Sequence, residues 1–232
     1  VNIPSNVGGK QISTLGHNLF TGIDVVSESE MYANNYSKIK HIKINDGIKT
    51  IEDGYYEFGA DGKIGGAFMS VGSSFGGEGI IPLTNLTVDL PVSLINIGNS
   101  AFHASSIESI ALPSNLKKIG NYAFYSTQLS SIEIPSNVET IGDNAFESNL
   151  NLTTVTFVGA EDGTSKLTTI GGYAFNDCIL TYDETNPLLL PSSIRSIGDF
   201  AFDNNSNLKY IKLTGDTTGF GSSWNGGATI IP

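Results

Sequence analysis

A single cysteine, Cys178, stands in the whole chain, so no internal disulfide framework can hold the fold. It says nothing about redox compartment. Basic residues are also scarce: 12 Lys and Arg face 23 Asp and Glu, for a net charge of −11. From Leu86 onward six basic residues face fourteen acidic ones. That balance argues against nucleic acid as a partner, because phosphate binding needs clustered Lys and Arg. An acidic surface of this kind keeps a chain soluble and resists nonspecific association. No apolar run is long enough to cross a bilayer, and no charged-then-apolar signal segment opens the chain. Val1-Asn2-Ile3-Pro4 reads as the end of a repeat strand with no initiating Met, so the sequence is expected to be a trimmed or mature piece of a longer chain. Charged residues make up only 15%, while Gly, Ser, Asn and Thr are abundant, the mixture a turn-rich β protein needs.

What is present is a repeat. Ile97-Gly98-Asn99-Ser100-Ala101-Phe102 returns as Ile119-Gly120-Asn121-Tyr122-Ala123-Phe124 and Ile141-Gly142-Asp143-Asn144-Ala145-Phe146, each step 22 residues long. The same frame returns at 170–175 and 197–202, after gaps of 29 and 27. Recurrence at such a period predicts one solenoid over residues 1–232, each coil packing only on its neighbours. Upstream of each hexapeptide lies an alternating apolar segment closed by Pro, as in Ile107–Pro113 and Leu129–Pro135. Alternation with period 2 predicts a half-buried strand, and Pro, lacking a backbone donor, ends its ladder. Strands are therefore expected at 86–90, 107–112, 129–134, 152–157, 187–191 and 208–213. Gly permits a close backbone approach, and Ala-Phe fills the layer between coils on a short helical or 3₁₀ turn.

The repeat is broken in two places. Residues 21–38 form a mixed insertion with a short helix expected over 29–34. Residues 57–85 form a larger Gly- and aromatic-rich insertion, read as a hairpin turning at Asp61-Gly62, with a damaged repeat as the alternative. The first hexapeptide is degenerate at Leu15–Phe20, and the second at Ile51–Tyr56. Gly159–Lys166 is a short polar insertion. The tail carries Trp224, expected to cap the last coil, and Thr229–Pro232 resembles another strand end.

The frame Leu-x-x-Ile-x-Ile-Pro-x-x-Val-x-x-Ile-Gly-x-x-Ala-Phe resembles the BspA-type (Treponema pallidum-like) leucine-rich repeat, most clearly over residues 86–213. The resemblance implies a strand-dominated leucine-rich-repeat solenoid of the α/β class, a right-handed curved superhelix with a parallel β-sheet. It further implies a microbial cell-surface or secreted, extracellular protein that adheres to host or microbial surfaces. It brings no catalytic residue, since its motif consists of core positions.

Register tests the chemistry. His17 falls in the slot of Asn99, Asn121 and Asp143; His103 shares its slot with Tyr125, Glu147, Asn176 and Asp203; His41 matches Ser109 and Ser131. All three are expected at permissive, exposed positions in different parts of the repeat, where neither a metal site nor an acid–base pair converges. Cys178 shares a small-residue slot with Ser105, Thr127, Asn149 and Asn205 and reads as a packed thiol. No nucleophile elbow, phosphate loop or dinucleotide fingerprint stands out. The Asp-Gly pairs at 46–47, 53–54 and 61–62 match turns better than calcium loops. The Asn-x-Ser/Thr matches at Asn35, Asn85, Asn151 and Asn204 read as chance matches in an Asn/Ser/Thr-rich sequence of the bacterial kind that the resemblance implies. No catalytic, cofactor or metal residue is therefore assigned.

The candidate ligand surface is the exposed row between buried strand positions: Lys43, Asp89, Ala111, Glu133, Thr156 and Lys212. Tyr56, Phe58 and Phe75 of the insertion join it, because a long aromatic excursion from a solenoid is unexpected. The expected partner is a host or microbial surface protein or glycan. A structural spacer and a glycan-binding or glycan-processing accessory protein are the alternatives.

Overall fold

The computed structural model describes residues 2–7, 9–15, 40–52, 86–213 and 219–232, together with the backbone of 55–56 and 64–65. The insertion at 21–38, its expected helix, most of 57–85 and His17 lie outside the described residues.

The first residue of the hexapeptide, isoleucine in all but Leu15, ends a two-residue strand in seven coils. Thr14–Leu15, Thr50–Ile51, Asn96–Ile97, Lys118–Ile119, Thr140–Ile141, Thr169–Ile170 and Ser196–Ile197 stack in that order into one parallel seven-stranded sheet. Two residues per coil suffice, because the apolar member is buried in each and the polar member faces out. This sheet is the most continuous ladder in the molecule. The strands read from the alternating segments build shorter sheets. Asn2–Ile3, His41–Ile44 and Thr87–Asp89 form one; Ser131–Ile134 and Thr154–Phe157 a second; Leu188–Leu190, Tyr210–Leu213 and Thr229–Ile231 a third.

One expected strand is not formed. Over 107–112 only Ile107 bridges to Leu86, and residues 109–112 carry no strand pairing. Ile110 and Leu112 stay half-buried against the core. A strand is a property of a pair, and alternation within one segment cannot guarantee that both neighbouring coils stay in register.

A proline closes these segments as expected, and its carbonyl then accepts a turn. The amides of Leu94, Leu116, Val138 and Ile194 donate to Pro91, Pro113, Pro135 and Pro191 at 3.0–3.2 Å. Asn115 and Asn137 in these turns reach back to the carbonyls of Val92 and Ser114 at 2.9 and 2.8 Å, stitching coil to coil.

The Ala-Phe segment differs from the helical or 3₁₀ turn expected. No helix of either kind occurs among the described residues. The segment is instead a train of turns in which alternate amides point along the solenoid. Ser100, Phe102 and Ala104 donate to Asn121, Ala123 and Tyr125 of the next coil at 2.7–2.8 Å. His103 and Ser105 between them close turns on Ser100 and Phe102. Every left-handed non-glycine residue from Ser100 to Phe200 takes part, including Tyr122 (φ 55°), Tyr173 (φ 55°) and Phe200 (φ 57°). A left-handed bulky residue costs on the order of 1–2 kcal/mol, offset here by an inter-coil hydrogen bond that its own amide donates.

Inside, Phe102, Phe124, Phe146, Phe175 and Phe202 are fully buried and stacked nearly parallel, with ring centroids 5.0–5.2 Å apart. Trp224 meets Phe202 edge-on at 6.5 Å and covers the end of that column. The tail is itself a degenerate coil: Phe220 bridges to Ile197, and the amides of Phe200 and Phe202 donate to Ser222 and Trp224. The glycine slot is as tight as predicted. A Cβ on Gly120 would lie 2.6 Å from the Asn99 nitrogen and the Gly98 carbonyl carbon.

Candidate ligand-binding surface

The row proposed on the strand face is gathered into three patches. Lys43 sits opposite Asp89 in parallel register, with both side chains exposed. Glu133 sits opposite Thr156, again exposed. Lys212 is half-buried between Leu189 and Ile231 in the third sheet. The lost pairing over 109–112 separates the first two patches, and residues 158–187, whose one strand, Thr169–Ile170, belongs to the seven-stranded sheet, separate the second from the third. Of the insertion residues, Tyr56 lies in a backbone pair: Tyr55–Tyr56 runs antiparallel to Ile64–Gly65, the pairing a hairpin makes. Phe58, Phe75 and the Asp61-Gly62 turn lie outside the described residues.

In the first patch His41 bridges two partners. Its Nε2 lies 3.1 Å from the Asp89 carboxylate and its Nδ1 2.8 Å from the Thr87 hydroxyl, which also donates to the Lys40 carbonyl. The line is superficially that of a hydroxyl–imidazole–carboxylate triad. However, the His41 and Asp89 side chains are 51% and 58% exposed, so bulk water screens the contact, which is worth about 0–1 kcal/mol. It ties two strands together.

Register misjudged His103. It is buried, stacked face to face on Tyr125 at 4.9 Å, and burial lowers its pKa to about 4. Exposure in this slot depends on the next coil's side chain, and an aromatic at 125 covers the imidazole. Cys178 is the packed thiol expected. It is buried, donates to the Phe146 carbonyl at 3.3 Å, and is pushed up to about 12 by burial, so it is no nucleophile. Its slot is more demanding than a small turn residue requires. Asn149 there is fully buried; its amide nitrogen donates to the carbonyls of Phe124 and Phe146 at 2.8 and 2.7 Å, and its oxygen accepts from the Thr127 hydroxyl. Asn205 repeats this with Phe175 and Phe202. Recurrence of Ser, Thr, Asn and Cys in one slot is the sequence signal for such a polar core.

The slot of Asn99, Asn121, Asp143 and Asp199 also acts. Each side-chain oxygen accepts the amide at the matching position one coil on: Asn121, Asp143, Gly172 and Ser222. Tyr182, unremarked in sequence, repairs the sheet where the ladder fails after Phe157. Its buried hydroxyl accepts from the Val155 amide at 2.8 Å and donates to the Val155 carbonyl at 2.6 Å. Asp46-Gly47 is a turn, with Gly47 at φ 107° and its amide donating to the Ser93 hydroxyl. Among the described residues no group of three or more His, Cys, Asp or Glu could hold a metal ion, and no helix is long and apolar enough to cross a membrane.

A groove of about 860 Å³ opens at the C-terminal corner, between the turn train and the last strands. It crosses three successive coils. Asp177 comes from the first, Asp203, Asn204, Lys209 and Tyr210 from the second, and Thr229 from the third. The Lys209 ammonium is anchored on the Ser206 carbonyl at 2.6 Å, and Asn204 donates to the Asn176 side chain at 3.1 Å.

Six copies of the BspA-type leucine-rich repeat region match over residues 79–181 and 162–224, more than half of the chain. The chain belongs to this family. BspA-type repeats thus account for the coils from the third hexapeptide onward, and the parallel sheets and turn train are their solenoid. A leucine-rich cell-surface protein of Faecalibacterium prausnitzii A2-165 has a similar fold (TM-score 0.53, 18% identity), covering 93% of this chain and 48% of that one. A leucine-rich repeat protein of Bacteroides ovatus ATCC 8483 aligns over 99% of this chain and 62% of its own, at 20% identity and a TM-score of 0.48. The BspA-type chain therefore spans about half to three-fifths of the length of these structures. No curated protein sequence matches it.

Proposed function

We propose that this chain is a non-enzymatic recognition module of a bacterial surface or secreted protein, binding a surface protein or glycan through its strand face and its inserted segment. The observation that carries the reading is the division of labour within each coil. Apolar residues, the buried asparagines, a neutral His103 and an unreactive Cys178 are consumed by the interior. The side chains that differ from coil to coil, such as Lys43, Asp89, Glu133 and Thr156, are held at fixed spacing outside. A rigid array of this kind builds affinity from several weak contacts without any moving part. Family membership and the cell-surface description of one structural relative support the adhesion reading.

The test presents the purified chain, with and without residues 57–85, to immobilised glycans and to purified host matrix proteins. Saturable binding that weakens on deleting 57–85 or on reversing charge at Lys43 and Glu133 is expected. Failure to bind either class would favour a spacer that only presents other domains.

A further inference from the structure

We infer that the C-terminal groove is a binding site for a neutral oligosaccharide. The inference rests on the reading of the chain as a recognition module and names a ligand class and a place for it. Three features lead there. The groove's volume of about 860 Å³ falls within the usual range for small-ligand sites. Its lining mixes every hydrogen-bonding role. The carboxylates of Asp177 and Asp203 only accept, the Lys209 ammonium only donates, and the Asn204 amide and the hydroxyls of Tyr210 and Thr229 do both. A sugar hydroxyl donates and accepts at one oxygen, so a run of hydroxyls is the ligand that uses such a set fully.

Charge decides against the nearest competitor. A cationic peptide would be drawn to this acidic chain, but at this groove it would meet Lys209, whose ammonium is fixed in place by the Ser206 carbonyl. An anionic sugar would meet two carboxylates. A neutral polyol opposes neither sign. Asp203 is half-buried, and its carboxylate has no hydrogen bond or ion pair among the described residues, which leaves it open to a vicinal diol.

Geometry sets the length. The coils rise by about the 5.2 Å seen between Phe175 and Phe202, close to the length of one hexose unit. Three coils therefore offer successive sugars an equivalent step each. The third coil contributes Gly226 and Gly227, and a Cβ added at Gly227 would meet nothing within 4 Å, so the groove is open at that end. An open end admits an internal stretch of a polymer as readily as a free oligosaccharide.

Calorimetric titration of the purified chain with cellohexaose, maltohexaose, chitohexaose and mannohexaose tests the inference, with a lysine nonapeptide as the cationic arm. At least one hexasaccharide should bind, with affinity unchanged between low and high salt. Asp203→Ala, and separately Thr229→Trp to fill the groove, should each weaken that binding about tenfold or more at unchanged thermal midpoint. Glu161→Gln, an exposed residue of the polar insertion outside both the groove and the strand face, should leave it intact. Binding of none of the four sugars, binding untouched by both groove variants, or salt-sensitive binding of the peptide alone would each overturn the inference. If the sugars bind and only the strand-face or 57–85 variants matter, the groove is refuted while the recognition module stands. If neither sugars nor matrix proteins bind, both readings fail.

Discussion

Asn149 satisfies two phenylalanine carbonyls from successive coils and the hydroxyl of Thr127 without any access to water. Replacing it by Ala leaves these groups buried and unpaired, so Asn149→Ala should cost about 2–4 kcal/mol in a denaturant titration. That exceeds what its small size in a turn slot would lead one to expect. His103 carries a pH dependence. Its folded pKa of about 4 lies below the unfolded 6.5, so as pH falls the unfolded chain takes the proton first. The stabilisation is complete above pH 6.5 and is lost on falling through this window, with on the order of 3 kcal/mol gone by pH 4. His103→Asn, the residue found in this slot at 176, should remove that slope when wild type and variant are compared at neutral pH and near pH 4.5. The sequence placed both residues in the right slots but misread their surroundings. Burial in a solenoid belongs to a residue and to the side chain one coil away, and Tyr125 over His103 is a fact about pairs.

At the scale of the coil, glycine, left-handed turns and the Asn/Asp slot form one device. The side-chain oxygen of Asn121 takes the Asp143 amide at 3.0 Å only because Gly142 lets the backbones meet. A Cβ there would lie 2.6 Å from the Asn121 nitrogen and 2.7 Å from the Gly120 carbonyl carbon. Gly142→Ala should therefore lose about 1–3 kcal/mol or more through forced separation of two coils. Gly163→Ala, where a Cβ meets nothing within 4 Å and only the φ of 74° is strained, should lose about 1 kcal/mol. Thermal midpoints of the two variants, measured side by side, check the contrast. The Ile-Gly-x-x-Ala-Phe spacing made this device legible in outline: isoleucine, glycine, alanine and phenylalanine all stand where they were read. Its backbone path was not legible, because no propensity places Tyr122, Tyr173 or Phe200 in the left-handed region. Only the inter-coil hydrogen bond explains them. The strand expected at 107–112 failed for the complementary reason, its alternation being right and its pairing absent.

For the whole molecule, cohesion passes from coil to coil along the isoleucine sheet, the phenylalanine column and the turn train, and each coil touches only its neighbours. Stability is then nearly a sum of nearest-neighbour terms, and coils with partners on both sides outlast those at the ends. Amide hydrogen exchange should be slowest at Phe124, Phe146 and Phe175, whose N–H groups donate across coils at 2.7 Å in the middle of the stack, and faster at Asn6–Val7 and Thr229–Ile231. Equal protection throughout would mean one all-or-none unit. The repeat period announced this linear architecture at once. It was silent on the groove, because Asp177, Asp203 and Thr229 come together only through the stacking of three coils of unequal length.

The turn train has a mechanical consequence. Its hydrogen bonds, like those of the sheets, lie parallel to the solenoid axis and join each coil to the next. Tension applied along that axis therefore loads the bonds of one coil boundary at a time. The outermost coil peels first while the rest keep their structure. Releasing one coil of 22 residues, the step from Ile119 to Ile141, lengthens the chain by roughly 70 Å. A stack built this way yields in small instalments under load and rewinds when the load is removed, so a contact made by its inner coils survives a pull that has already unwound the end.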